Sequence, residues 1–481
     1  MVGITAFLTL LLWGIFAFRG RGGHNVKGFP CVQDKNKVGE NQNKSNLTVQ
    51  VGIDGSGSML GFVKGGASQY ITIIQKLDDL LRPSNLKTDL GSMVEDVKVN
   101  YFRLGVSDLG QVREKKLLGK DDTSFLDAKF PSFYCYGQLK KYPCVTSSLH
   151  QIFTNQANAS EPVALTAPSA NLPNTKNSES SETPSTEVTI DTMQILITDL
   201  EPDNSAIGEI TNRISNILNQ KPDYKAILLG IPSEFNGILY SADQPNLINK
   251  PYQSRGNPEQ DGRPFYLFLI GPTAVVETFV EGFLDRVGRD MSRTIKASAF
   301  NRQYSPILLN INNTFGEIDK DCIHRRFNLK GKQLTTKQES DWLILEQGKC
   351  PDKYNDFELN NVYSQPSWLL RRGKFSADSF VSSHPSIVKV NSVSLDSNAD
   401  PPHLDLSLGF TGENSNSDEQ PIYITLNEKD LDEIVWQEWS TPINNLEGTK
   451  TQQLMDFVKS VRGKVSQGQD ALRFCLGYVK T

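Results

Sequence analysis

Between Asn46 and Phe62 the chain reads NLTVQVGIDGSGSMLGF. Leu47 to Ile53 alternates and then runs apolar, as a strand buried within a sheet does. The run stops at Asp54, and Gly55, Ser56, Gly57 and Ser58 follow. The glycines allow a sharp turn, leaving one carboxylate and two hydroxyls facing the same way at the carboxyl end of the strand. In open α/β sheets that end is where ligands sit. Oxygen-only donors on a tight turn suit a hard divalent cation, Mg²⁺ first, with Ca²⁺ and Mn²⁺ as alternatives. A phosphate-binding loop is excluded, because it needs Gly-Lys-Ser/Thr and Met59-Leu60-Gly61 supplies no lysine.

Asp54-x-Ser56-x-Ser58 after an apolar strand resembles the metal-ion-dependent adhesion site (MIDAS) of von Willebrand factor type A (VWA) domains. The resemblance implies a threonine from a later loop and an aspartate at the end of another buried strand. Met193 to Asp199 is such a strand, ending in Thr-Asp, although Leu200 stands where the family usually has glycine. Thr146, in Cys144-Val145-Thr146-Ser147-Ser148-Leu149, is the best-placed threonine; Ser147 is its alternative and Thr123 a weaker one. The implied metal ligands are thus Asp54, Ser56, Ser58, Thr146 and Asp199. The resemblance further implies that the ion keeps one open position, which an acidic side chain of a partner protein completes. By the same kind of family analogy, an aspartyl-phosphate phosphatase is set aside: it wants a second aspartate where Ser56 stands.

Strands and helices alternate from residue 46 to about 300. The strands are Leu47 to Ile53, Val97 to Leu104, Met193 to Asp199, Lys225 to Ile231 and Phe265 to Ile270. Helical periodicity marks Ser68 to Leu81, Ile207 to Leu218 and a run through Leu284, with Ser68 as N-cap and Pro83 beyond the end. Several strands are continuously apolar, so the expected fold is α/β: a doubly wound, mostly parallel sheet covered on both faces. Residues 158–189, rich in Ser, Thr, Pro and Asn, read as a disordered insertion within it. The aromatic cluster Phe130, Phe133, Tyr134 and Tyr136 reads first as packing and second as a contact surface. From 301 to 481 short strands separated by Asn-, Asp-, Ser- and Pro-rich loops predict a β-rich module, with helices near Asp430 to Trp439 and Gln452 to Val461.

Residues 2–18 carry no charge and approach the ~17–25 residues that span a bilayer. Without a cationic n-region or a small-residue cleavage site, residues 1–19 read as a single-pass membrane anchor rather than a signal peptide. Residues 20–45 form a flexible stalk. Arg19, Arg21, Lys27, Lys35 and Lys37 follow the anchor, which favours a cytoplasmic body. Six cysteines, with Cys135 and Cys144 flanking a short loop, favour an oxidising compartment instead, so the side stays open. A net charge of -5 gives no footprint for nucleic acid. None of the five histidines stands in a catalytic motif, and His150 is at most a neighbour of the metal loop. The expectation is a non-enzymatic, membrane-anchored module that captures an acidic partner protein. A scaffold or assembly subunit of an envelope complex with a vestigial site is the alternative, and a metal-dependent hydrolase a lesser one.

Overall fold

The computed structural model describes residues 45–107, 116–119, 123–134, 142–153, 190–201, 204–241 and 248–301. Further on it describes 307–308, 310–311, 323–325, 343–347, 356–363, 375–396, 399, 403–410, 419–465 and 470–480. The apolar segment, the stalk, the insertion 158–189, Tyr136 and Cys135 lie outside these residues.

The framework is a seven-stranded sheet. Its strands in chain order are β1 (Ser45–Asp54), β2 (Val94–Leu104), β3 (Lys116–Gly119), β4 (Ile190–Thr198), β5 (Tyr224–Ser233), β6 (Arg263–Pro272) and β7 (Lys296–Phe300). Across the sheet they lie in the order β7-β5-β6-β4-β1-β2-β3. The α/β class is therefore as expected, but the sheet is mixed rather than mostly parallel. β1 is parallel to β2 and β4; β6 is antiparallel to β4 and β5, β7 to β5, and β3 to β2. The cause is the link from β5 to β6. A parallel return needs a crossover, usually a helix. Here the chain makes the hairpin Asn236–Leu239/Lys250–Gln253 and the one-turn helix Pro258–Asp261, then re-enters the sheet beside Ser233.

Helices cover both faces. On one lie α1 (Gln69–Leu80), α2 (Pro83–Leu90) and α4 (Thr273–Val287), whose Ile73, Leu77, Leu86, Phe279 and Phe283 are buried with Val49, Val51, Ile195 and Leu267 of the strands. Ser68 caps α1 as its sequence predicts, its hydroxyl accepting from the Ile71 amide at 3.2 Å. Pro83 does more than follow α1: it opens α2, where a missing N–H costs nothing. The other face is covered by α3 (Asn204–Gln220), α5 (Glu428–Trp436) and α6 (Leu454–Val465). Ile210, Ile214, Trp436, Phe457 and Val461 pack there with Leu196, Leu228, Phe268 and Phe300. Paired Trp436 and Trp439 belong to this packing, Trp436 fully buried.

α5 and α6 are also tied to the sheet by polar contacts. Arg462 grips Asp432 with both Nε and Nη2, at 2.9 and 3.1 Å. Ser298 of β7 donates to Asp432 at 2.6 Å and accepts from Trp436 Nε1 at 2.8 Å. Lys296 donates to the Val435 carbonyl at 2.9 Å. Two larger sheets follow among the described residues. Asn310–Ile311, Asp356–Tyr363, His403–Phe410 and Val388–Asp396 pair antiparallel, and a mixed sheet centres on Glu419–Asn427 and Asp470–Lys480.

Candidate metal centre

Parallel pairing of β1 and β4 sets Ile53 beside Ile197, so Asp54 and Thr198 end their strands side by side and Asp199 follows one residue later. Both aspartates are buried, each 1 % exposed. Asp54 Oδ1 accepts from the Ser56 amide at 3.0 Å, and Oδ2 accepts from the hydroxyls of Thr198 at 3.0 Å and Ser147 at 3.2 Å. Ser56 and Ser58 share a hydrogen bond of 2.9 Å between their hydroxyls. Asp199 Oδ1 accepts from the Glu201 amide at 3.4 Å. Its Oδ2 is a buried oxygen without a hydrogen-bond partner among the described residues.

Four of the five candidate ligands thus converge: Asp54, Ser56, Ser58 and Asp199. Thr146 does not join them. It is exposed on a two-residue strand paired with Val106–Ser107, and its hydroxyl turns to the Val106 carbonyl at 3.5 Å. The next residue, Ser147, just past the end of that strand, supplies the hydroxyl at the site instead. Thr123 opens the one-turn helix Thr123–Leu126 after the edge strand. His150 is buried in a 3₁₀ helix and meets Glu209 at 3.4 Å rather than the aspartates.

The glycines work differently from a pair of turn residues. Neither Gly55 nor Gly57 has a positive φ. Gly55 is required by space, since a Cβ there would lie 2.7 Å from Arg103 Nε. Arg103 is buried at the end of β2 and donates to the Gly55 carbonyl at 2.9 Å and the Phe133 carbonyl at 3.0 Å. Its guanidinium lies over the rings of Phe133 and Tyr142, so the aromatic residues Phe133 and Tyr134 are packing, both buried. The left-handed position is Leu200, with φ of 51°. Its amide donates to Thr198 Oγ1 at 3.0 Å, and its buried side chain anchors in the core against the backbone strain.

Sequence reading missed a further group. β6 runs antiparallel, and its first residue, Arg263, therefore arrives at the same end of the sheet as the aspartates. Arg263 is 1 % exposed, forms an ion pair with buried Glu201 and donates to the carbonyls of Gly448 at 3.3 Å and Lys450 at 3.1 Å. The one sequence signal was a lone arginine opening an apolar strand. Thr198 was likewise visible only as part of Thr-Asp.

No family model, curated protein or solved structure matches this chain.

Electrostatics show what this end of the sheet lacks. Burial, then repulsion from Asp199, pushes the Asp54 carboxyl up to about 6, against the pull of its Ser56 and Thr198 hydrogen bonds. Burial also raises Asp199, with Arg263 and the Ser58 hydroxyl pulling it back. Burial works against the charge on Arg263, but Glu201 and Asp199 outweigh it; the Glu201 carboxyl is the group that gives way, up to about 7. Two buried carboxylates near enough for Asp199 to repel the charge on Asp54, with one oxygen unsatisfied, are a donor set that suits a small cation. Among the described residues no three His, Cys, Asp or Glu side chains cluster as metal ligands, so hydroxyls would have to complete the shell.

Proposed function

We propose that the chain is a membrane-anchored VWA-type module that holds a divalent cation, Mg²⁺ first, and through it captures an acidic side chain of a partner protein. The single observation carrying this reading is the buried Asp54–Asp199 pair with its unsatisfied Oδ2. Asp54 and Asp199 would bring the charge, and Ser56, Ser58 and Ser147 neutral oxygens. Bound there, the cation supplies an electrophilic position for a carboxylate from outside. Thr198 and the Ser56 amide fix the Asp54 carboxyl, and Arg103 fixes the backbone that follows it. The left-handed Leu200 supports the family reading, because that backbone angle is one glycine adopts freely. Cys144 is in a disulfide, which supports placing the body on the oxidising side of the membrane.

Titration calorimetry with Mn²⁺ tests the site. The wild-type chain takes up one ion, reversed by a chelator, and Asp54→Ala takes up none while its far-UV circular dichroism stays unchanged. Equal uptake by the variant, or none by the wild type, overturns the proposal. One observation favours the second reading, a scaffold subunit with a metal-free site: Arg263 already places positive charge near Asp199. The same titration separates the two.

A further inference from the structure

Six large apolar side chains stand exposed among the described residues, and three of them, Ile238, Tyr240 and Ile248, belong to one hairpin. That hairpin is seated on the metal loop. Phe235, which leads into it, packs edge-on against Phe62 with ring centroids 5.0 Å apart, and a Cβ on Gly237 would lie 2.7 Å from the Gly61 Cα. The Tyr240 hydroxyl is 3.7 Å from where a Cβ on Gly57 would stand, between the two ligand serines. Leu239 is buried, so strand alternation turns Ile238 and Tyr240 to the outside together. Ile248 is 87 % exposed. Among the described residues of this edge, Lys64, just after the loop helix, and Lys250, paired opposite Leu239, are exposed cations, while the Glu234 carboxylate accepts from the Gln69 amide at 2.8 Å.

We infer that this hairpin is the second half of the partner-binding surface, and that it takes a segment whose acidic residue is flanked by large aliphatic or aromatic residues. The inference rests on the cation-mediated capture proposed above. A carboxylate directed at the Asp54–Asp199 end of the sheet brings its neighbours in the partner chain over the Ser56-Gly57-Ser58 turn. There they meet Tyr240 and Ile238, which bury apolar surface against them, while Lys64 favours a segment of negative charge. Exposed aromatic and aliphatic side chains beside a polar anchor are the composition of an interface centre rather than of ordinary surface.

A random twelve-residue peptide library displayed on phage, selected on the full chain in Mn²⁺ and eluted with a chelator, tests this. The expected peptides carry Glu or Asp with an aliphatic or aromatic residue within two positions. The triple variant Ile238→Ser, Tyr240→Ser, Ile248→Ser, all at exposed positions, retains selection for the acidic residue and loses selection for its apolar neighbours. Individual peptides bind the variant at least about tenfold more weakly. Acidic peptides without apolar neighbours, selected equally by both proteins, overturn the hairpin's role and leave the cation site standing. Apolar peptides that survive the chelator and need the hairpin overturn the cation site instead. Self-association of the wild type that the triple variant abolishes, or its sedimentation with anionic vesicles, assigns the hairpin to a second copy or to a membrane and overturns the peptide segment.

Discussion

The proposed cation site turns on Asp54, whose protonation gives it a signature measurable in the chain alone. Unfolded, its carboxyl ionises near 3.8; folded and cation-free, at about 6. A raised folded value means the native state holds the proton more tightly. The group therefore costs nothing below about pH 4, and the penalty grows as pH rises and is complete above about pH 6. Converted at 1.36 kcal/mol per unit, the full penalty is about 3 kcal/mol. In metal-free buffer Asp54→Asn should melt above the wild type at pH 7.5 and level with it near pH 4. Millimolar Mg²⁺ should raise the wild-type melting temperature at pH 7.5 and leave the variant unmoved. Calorimetric scans at the two pH values check both. The two aspartates were legible in sequence because each ends an apolar run, a local pattern. Ser147 was legible only as the alternative to Thr146, and Thr198 and Arg263 were not, because each owes its place to pairing with a distant strand.

At the scale of elements, periodicity located most of the framework and missed α2, β3 and β7. Apolar runs mark β1, β2, β4, β5 and β6 to within a few residues, and helical spacing marks α1, α3, α5 and α6. What periodicity cannot carry is direction. Phe265 to Ile270 reads the same whether its strand runs up or down, and only the hairpin and short helix before it turn it antiparallel. Nor does it reveal which distant elements meet. The Asp432–Arg462 pair joins α5 to α6, and through Ser298 joins them to β7. Asp432 is 2 % exposed and Arg462 7 %, so removing one partner leaves a buried charge unmatched. Asp432→Ala should lower the free energy of unfolding by about 3–5 kcal/mol, whereas the double replacement by apolar residues should cost much less. Urea titrations of the single and double variants check this.

At the scale of the whole molecule, the change of composition near residue 300 suggested a sheet domain followed by a separate β-rich stretch. The packing joins them. One face of the central sheet is covered partly by α5 and α6, and Phe268, Phe300, Trp436 and Phe457 share one core. A chain ending at residue 301 would leave to α3 alone a face that α5 and α6 also cover. It should bind the dye ANS and aggregate, and co-expression with residues 375–480 should suppress both; a monomeric, cooperatively unfolding 45–301 fragment would contradict the shared core. Sequence could not show this, because the apolar stripes of α5 and α6 name no partner.

Register also sets an order of assembly. β5, β6 and β7 find one another across modest stretches of chain, and so do β1 and β2. Thr198 and Asp54, by contrast, touch across 144 positions of sequence. Bringing distant segments together is the slow part of building a sheet. The two acidic groups thus meet late, when the β1–β2 pair joins β4. A nascent or partly folded copy therefore lacks the buried aspartate pair on which the proposed cation site rests, and would gain it only as the sheet closes.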